Sequence, residues 1–200
     1  MNPSDEPDLA AYRPPLSAVR TADLSPRLIR RQRTVPVDCQ EIEAFLERLP
    51  AELFCSACSI CLISDRAMRR FNGRFRHKNE ATDVLSFPMS GGAGKPVAGE
   101  DDYAGDILIS VPTAQRNAAR FGLRLEDEIK ALILHGLLHL LGNDHETDGG
   151  RMARSERRWG ARLGLPQTLL SRKPEVKKGT MLPAKSRSRC DSRNGRSCNR

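Results

Sequence analysis

Apolar and polar positions follow two periods along the middle of the chain, one typical of helices and the other of strands. Over residues 38–49 the apolar side chains recur at the helical spacing, and Asp38 with Glu41 forms a capping box at the start. Other segments are short and β-rich and end in turn residues, as strands do. The pattern predicts strands over 54–63, 81–88 and 105–110. It predicts helices over 38–49, 126–141 and 151–163. Two further helices are predicted, one that begins at 64 or 65 and is weakened at its end by Gly73, and one that begins at 110 or 113 and ends at 122.

The predicted helices and strands interleave, which indicates one α/β-type or α+β domain. A chain of 200 residues is long enough for one such domain with tails. No run of about 18 apolar residues suggests a membrane span. The acidic, proline-broken start lacks the basic and apolar segments of a secretory signal, so we expect a cytoplasmic protein with no membrane partner.

The positive charge is concentrated at the C-terminus. Residues 171–200 contain ten Lys or Arg and two acids, and their net charge of +8 equals that of the whole chain, so residues 1–170 are formally neutral. We therefore expect a flexible leader over 1–33, one domain over 34–170 and a basic disordered tail over 171–200. The tail is either a nonspecific arm for an acidic polymer such as RNA or a solubilising extension, and composition does not separate the two.

Cysteines in the strand predicted over 54–63 have the spacing C-x-x-C-x-x-C, at Cys55, Cys58 and Cys61. Successive residues of a strand point to opposite faces, so Cys58 would point away from the other two. We therefore interpret these cysteines as small buried side chains and not as ligands of a metal or iron–sulfur cluster.

Three of the four histidines lie in one segment, HGLLHLLGNDH, which begins at His135. The helix predicted over 126–141 is apolar around most of its circumference, and Gly142 stands where a left-handed cap ends a helix. His135 and His139 are one turn apart on that helix, and the reversal at Gly142 lets His145 return toward them. The sequence thus predicts that three imidazoles converge at the end of a central buried helix.

Three neutral imidazoles without a thiolate suit one zinc ion first, with nickel, copper or iron possible by ligand type. Three protein ligands leave a fourth position open, as in catalytic zinc sites. The spacing is that of zinc proteases with H-E-x-x-H, whose glutamate is the general base. Gly136 stands in place of that glutamate, which argues against peptide hydrolysis by this route.

Residues 66–78, RAMRRFNGRFRHK, contain five arginines and a lysine but no acidic residue. Such a run is either a solvated helix face or a surface for a phosphate backbone. Arginine suits a phosphodiester because its planar guanidinium can donate two parallel hydrogen bonds.

HGLLHLLGNDH, together with FRHKNEATDVLSFP and GDILIS, resembles the YbeY family of metal-dependent endoribonucleases that act in rRNA maturation and ribosome quality control. The resemblance covers roughly residues 35–165. It implies a zinc site at His135, His139 and His145, and a role for Arg76, in F-R-H-K, in contacting RNA or the scissile phosphate. It also implies a cytoplasmic setting in a bacterium or organelle, and an α+β fold built on a small, mainly parallel sheet packed by helices.

The expected function is therefore that of a single-strand-acting, zinc-dependent endoribonuclease in rRNA 3′-end maturation, with rRNA precursors and ribosomal particles as partners. Two alternatives stay open: a ribosome-assembly factor with a structural zinc and no cleavage activity, and a zinc peptidase-like hydrolase with a distant base. The residues alone leave the native metal, the general base, the attacking nucleophile and the oligomeric state open. Asp144 could orient an imidazole or simply form a turn.

Overall fold

A four-stranded sheet carries the fold, and helices cover both of its faces. The computed structural model describes residues 26–53, 57–89, 103–143 and 148–171. The strands and α-helices in chain order are β1 Arg27–Arg30, α1 Cys39–Glu47, β2 Ala57–Ile63, α2 Asp65–Arg76, β3 Val84–Pro88, β4 Tyr103–Ser110, α3 Val111–Phe121, α4 Leu125–Leu140 and α5 Arg151–Leu163. Single 3₁₀ turns lie at Ala51–Leu53 and Leu169–Ser171.

The strand order is β1-β2-β4-β3, and three of the four strands are parallel. The edge strand β3 pairs with β4 in the antiparallel sense, with Phe87 opposite Asp106. The sheet is therefore mixed and mainly parallel, within one α+β domain, and this confirms the predicted fold class. No helix among the described residues is long and apolar enough to cross a membrane.

The two faces of the sheet belong to two separate hydrophobic clusters. Cys58, Ile60 and Leu62 of β2 pack with buried residues of α1, α4 and α5. Cys61 and Ile63 point the other way and pack with Met68 of α2. The strand alternation thus confirms that Cys58 and Cys61 are buried on opposite faces. Burial also raises the pKa of Cys58 to about 12, so its thiol stays neutral near pH 7.

The helices with regular apolar spacing form close to where the sequence predicts them. The side chain of Asp38 accepts a hydrogen bond of 3.0 Å from the backbone N–H of Glu41, which confirms the cap of α1. Helix α5 has the predicted bounds, and α4 begins and ends one residue earlier than predicted. Helix α2 differs more, since it continues past Gly73 to Arg76 and is capped by His77 at φ 57°.

The predicted boundary between leader and domain at residue 33 is wrong, because β1 already belongs to the sheet. Residues 27–30 fall within the predicted flexible leader, but they pair in parallel with β2, and Arg27 lies opposite Ser59. The two central residues pack against the sheet, while Arg27 and Arg30 at the ends are exposed. A short edge strand with charged ends lacks the apolar run that marks a strand in sequence. Residues 1–25 and 172–200 lie outside the described residues, so the rest of the leader and the tail stay predictions.

Gly105 lies where β3 and β4 approach closely. Its φ is 141°, and a Cβ atom there would lie 2.2 Å from the carbonyl oxygen of Phe87. Backbone atoms of a paired strand cannot move aside as the end of a side chain can. The start of the GDILIS strand therefore requires glycine for space as well as for backbone conformation.

We expect Gly105→Ala to lower the free energy of unfolding by about 3 kcal/mol or more, because it adds a backbone clash to an unfavourable φ. Gly122→Ala is the matched control, since Gly122 also has a positive φ of 66° but no atom within 4 Å of an added Cβ. Its loss should be about 1 kcal/mol. Urea unfolding of both variants measures the difference, and equal losses would contradict the assigned clash.

Candidate metal centre

The C-terminal end of α4 brings two of the predicted site residues together. His135 and His139 lie one turn apart, and their Nε2 atoms are separated by 3.1 Å. The ring centroids are 4.7 Å apart and the rings are nearly perpendicular. His135 is buried, whereas His139 is partly exposed, so the pair opens toward solvent on the side of His139.

The chain leaves α4 through a turn that reverses its direction. Gly142 has φ 81°, and its N–H donates to the carbonyl oxygen of His139 at 2.9 Å. The N–H of Asn143 donates to the carbonyl oxygen of Leu138 at 3.0 Å. These two bonds form a Schellman motif, as the glycine predicts. His145, the third predicted ligand, and Asp144 follow this turn but lie outside the described residues.

The histidine pair has a geometry that fits one metal ion. Zinc binds imidazole nitrogen at about 2.0–2.1 Å, so two tetrahedral ligands are separated by roughly 3.3 Å. The observed 3.1 Å between the Nε2 atoms is close to that value. Within the described residues no group of three His, Cys, Asp or Glu is placed to hold a metal, and His135 and His139 are the two predicted ligands that the structure describes.

Glu156 supports the pair from α5 and is a site residue that the sequence analysis missed. It is fully buried, and its Oε1 lies 2.9 Å from Nδ1 of His135. Its Oε2 accepts a hydrogen bond of 2.7 Å from the backbone N–H of Leu170. Because a carboxylate oxygen accepts hydrogen bonds, we place the His135 proton on Nδ1, so that its Nε2 faces the Nε2 of His139 across the 3.1 Å separation.

The sequence does carry a signal for Glu156. It lies within the apolar stripe of α5, between Met152 and Trp159, and all three are buried. An acidic residue at a core position of a helix needs a buried partner, because an unpaired buried charge costs several kcal/mol. An acidic residue at a core position of a predicted helix therefore indicates a side chain that pairs with another helix or strand.

Gly136, between the two histidines, packs directly against the sheet. A Cβ atom there would lie 2.7 Å from Cγ2 and 2.9 Å from Cδ1 of Ile107, which is fully buried. The backbone of α4 therefore touches β4 at this point, and a glutamate would not fit without displacing the core. The missing general base is thus a packing requirement of this fold.

Arg76 is not part of the described histidine cluster. It is the exposed last residue of α2, and α2 packs on the face of the sheet opposite α4. Within the described part of the chain, no hydrogen bond or ion pair joins Arg76 to either histidine. Its role toward RNA stays a prediction.

The fold and the site together define a small α+β protein in which a buried helix ends in a solvent-facing histidine pair supported by a buried carboxylate. A sequence model of the family described as Endoribonuclease YbeY matches residues 30–164. The chain therefore belongs to the YbeY family, which confirms the resemblance of its motifs.

Relatives named Endoribonuclease YbeY occur in several bacteria. The chain is 50% identical over 132 residues to the one from Solibacter usitatus, covering 66% of this chain and 83% of that protein. It is 45% identical over 113 residues to the one from Nautilia profundicola, covering 56% of this chain and 76% of that protein. The solution structure of TM1509 from Thermotoga maritima covers 76% of this chain and 99% of that one, with 23% identity and a TM-score of 0.48.

We expect Glu156→Ala to lower the free energy of unfolding by about 1–3 kcal/mol, because it leaves the Leu170 N–H and the buried His135 Nδ1–H without their acceptor. Glu156→Gln should cost less, since the amide keeps one acceptor oxygen. Glu43→Ala on the exposed side of α1 is the control and should stay within about 0.5 kcal/mol. Urea unfolding measures all three, and a Glu156→Ala value equal to that of Glu43→Ala would contradict the buried network.

Proposed function

We propose that this protein is a metal-dependent endoribonuclease that cleaves single-stranded RNA and acts in rRNA 3′-end maturation and ribosome quality control. The observation that carries the proposal is the His135–His139 pair supported by Glu156, found in a chain of a family whose relatives are named endoribonucleases. Under this proposal its partners are rRNA precursors and ribosomal particles, and its compartment is the cytoplasm.

His135, His139 and His145 would hold the metal, with zinc as the first choice. Bound zinc supplies Lewis-acid chemistry at a phosphoryl oxygen or lowers the pKa of a water molecule. The chain's own contribution is to present neutral imidazoles in fixed orientation. Glu156 sets the His135 tautomer through the 2.9 Å contact with Nδ1.

Two observations favour cleavage of RNA over the alternatives. The partial exposure of His139 leaves the pair accessible from solvent, which favours an open site over a closed structural one. The close contact of Gly136 with Ile107 leaves no room for the glutamate that zinc proteases use. The peptidase alternative would need a base from elsewhere in the chain.

Arg76 is the proposed partner of the scissile phosphate. It is exposed at the end of α2, so its guanidinium can reach a bound strand. A guanidinium can donate two hydrogen bonds to the phosphoryl oxygens and neutralise charge that builds up during cleavage.

Metal binding should depend on the three histidines together. We expect His135→Ala, His139→Ala and His145→Ala each to lower bound zinc well below one ion per chain, while the control His77→Ala keeps it. Since the ligands must be unprotonated, occupancy should also fall as the pH drops below about 6. Elemental analysis of dialysed protein measures the number of zinc ions per chain. One zinc ion per chain in the His139→Ala variant would contradict the proposed site.

Arg76→Ala should keep the fold and the metal but cleave RNA about 10²-fold more slowly, the scale for losing one donor that stabilises a transition state. Arg76→Lys should recover only part of the rate, because an ammonium keeps the charge without the two-pronged geometry. Arg120→Ala, an exposed arginine on α3, is the matched control and should cleave like the parent.

Single-turnover cleavage of a single-stranded RNA at saturating enzyme isolates the chemical step from binding. A parent-like rate for Arg76→Ala in this assay would remove Arg76 from the reaction. Parallel incubation with a peptide library tests the peptidase alternative. A parent enzyme that holds zinc but cleaves neither substrate would favour the assembly factor.

A further inference from the structure

The outward side of α2 forms a basic groove on the sheet face opposite the histidine pair. The groove has a volume of about 480 Å³. We refer to it as the α2 groove, and its lining residues are Arg66, Arg69, Arg70, Gly73, His77 and Asn79. The three arginines are exposed and come from successive turns of α2, so their guanidinium groups face a common ligand side.

The α2 groove lies on a segment that is far more positively charged than the rest of the domain. Residues 66–78 contain six Lys or Arg and no acidic residue, although residues 1–170 as a whole are formally neutral. The domain thus concentrates positive charge on this helix, and the complementary ligand is a polyanion.

An exposed aromatic ring lies at the end of the same helix. Phe75 is 52% exposed, and its ring packs edge-on against Phe87 with centroids 4.9 Å apart. The guanidinium of Arg74 lies over the Phe75 ring at 5.4 Å. Phe71 lies nearly parallel to the same ring, with centroids 6.4 Å apart. The part of the Phe75 side chain that stays exposed beside the arginines is aromatic surface on which a nucleobase can stack.

The ring and the histidine pair flank the same part of the sheet. Phe87, which contacts Phe75, pairs with Asp106 on β4. The next residue, Ile107, faces the other way and contacts Gly136 between the histidines. Because β3 is an edge strand, a flexible polymer can pass from one face to the other around it.

The geometry points to a second RNA-binding surface, made of the α2 groove and Phe75, that holds the single strand whose cleavage occurs at the histidine site. The arginines bind successive phosphates, and Phe75 stacks with a base. The identity of the ligand rests on the proposed function. An acidic protein segment would use the arginines but has no need of an exposed ring, so RNA is the occupant that accounts for both features.

The first test removes the charge of the groove. The variant Arg66→Gln/Arg69→Gln/Arg70→Gln is compared with Arg48→Gln/Arg120→Gln/Arg162→Gln, which loses the same charge from exposed arginines at the end of α1, on α3 and on α5. Binding of oligouridines of about 16 and about four nucleotides is measured in EDTA, where no cleavage occurs. We expect the groove variant to bind the longer RNA at least tenfold more weakly, with a log–log salt slope flatter by about 2, since each lost single-strand contact contributes about 0.7.

The second test concerns the ring. Phe75→Leu keeps an apolar side chain but removes the stacking face, and we expect at least fivefold weaker binding of the longer RNA. Phe75→Tyr should bind like the parent. The groove arginines and Phe75 are exposed, so the thermal unfolding temperature of each variant should match that of the parent. Equal binding by Phe75→Leu and Phe75→Tyr would remove the stacking role.

Other outcomes separate this inference from the proposed function. If the groove variant binds the longer RNA with the affinity and salt slope of the control, the second surface is wrong. If it loses binding of polyglutamate but not of RNA, the groove serves an acidic protein and the inference is again wrong. If the zinc-loaded parent fails to cleave either RNA, the proposed function fails, while the binding measurements in EDTA still decide the groove.

Discussion

The contact between Gly136 and Ile107 sets the depth at which α4 lies on the sheet. Because no side chain intervenes, the helix backbone approaches β4 within van der Waals distance of a fully buried isoleucine. At that depth His135 points into the protein toward α5, and His139, one turn further, reaches the surface. The close packing at Gly136 therefore explains why the His135 imidazole is buried while the His139 imidazole is accessible from solvent.

Glu156 fixes the orientation of the His135 ring through the contact between its Oε1 and Nδ1 of that ring. Its carboxylate is buried, and each of its oxygens has a partner, one on α4 and one at the 3₁₀ turn that follows α5. A buried charge is tolerated when its hydrogen bonds are complete and destabilising when they are not. The cost of breaking this network keeps α4, α5 and the segment at Leu170 in one arrangement, so the His135 ring is held before any metal binds.

What the sequence predicts well is local, and what it misses depends on contacts between distant elements. The bounds of α5 and the cap of α1 follow from apolar periodicity and from Asp38, which act within one or two helical turns. Strand β1 was missed because its pairing with β2, and not its own composition, makes it a strand. Glu156 was missed for the same reason, since its partner lies 21 residues away on another helix. His135 and His139 were found because one helical turn joins them.

The sheet divides the chemistry of the protein between its two faces. The face under α4 carries the histidine pair and needs an apolar, closely packed environment to fix the imidazoles. The face under α2 carries a small cluster, and its helix can devote its outer side to arginines without placing charge near the core. Because β3 lies at the edge of the sheet, one flexible strand of RNA that passes around it reaches both faces, as the proposed second surface requires.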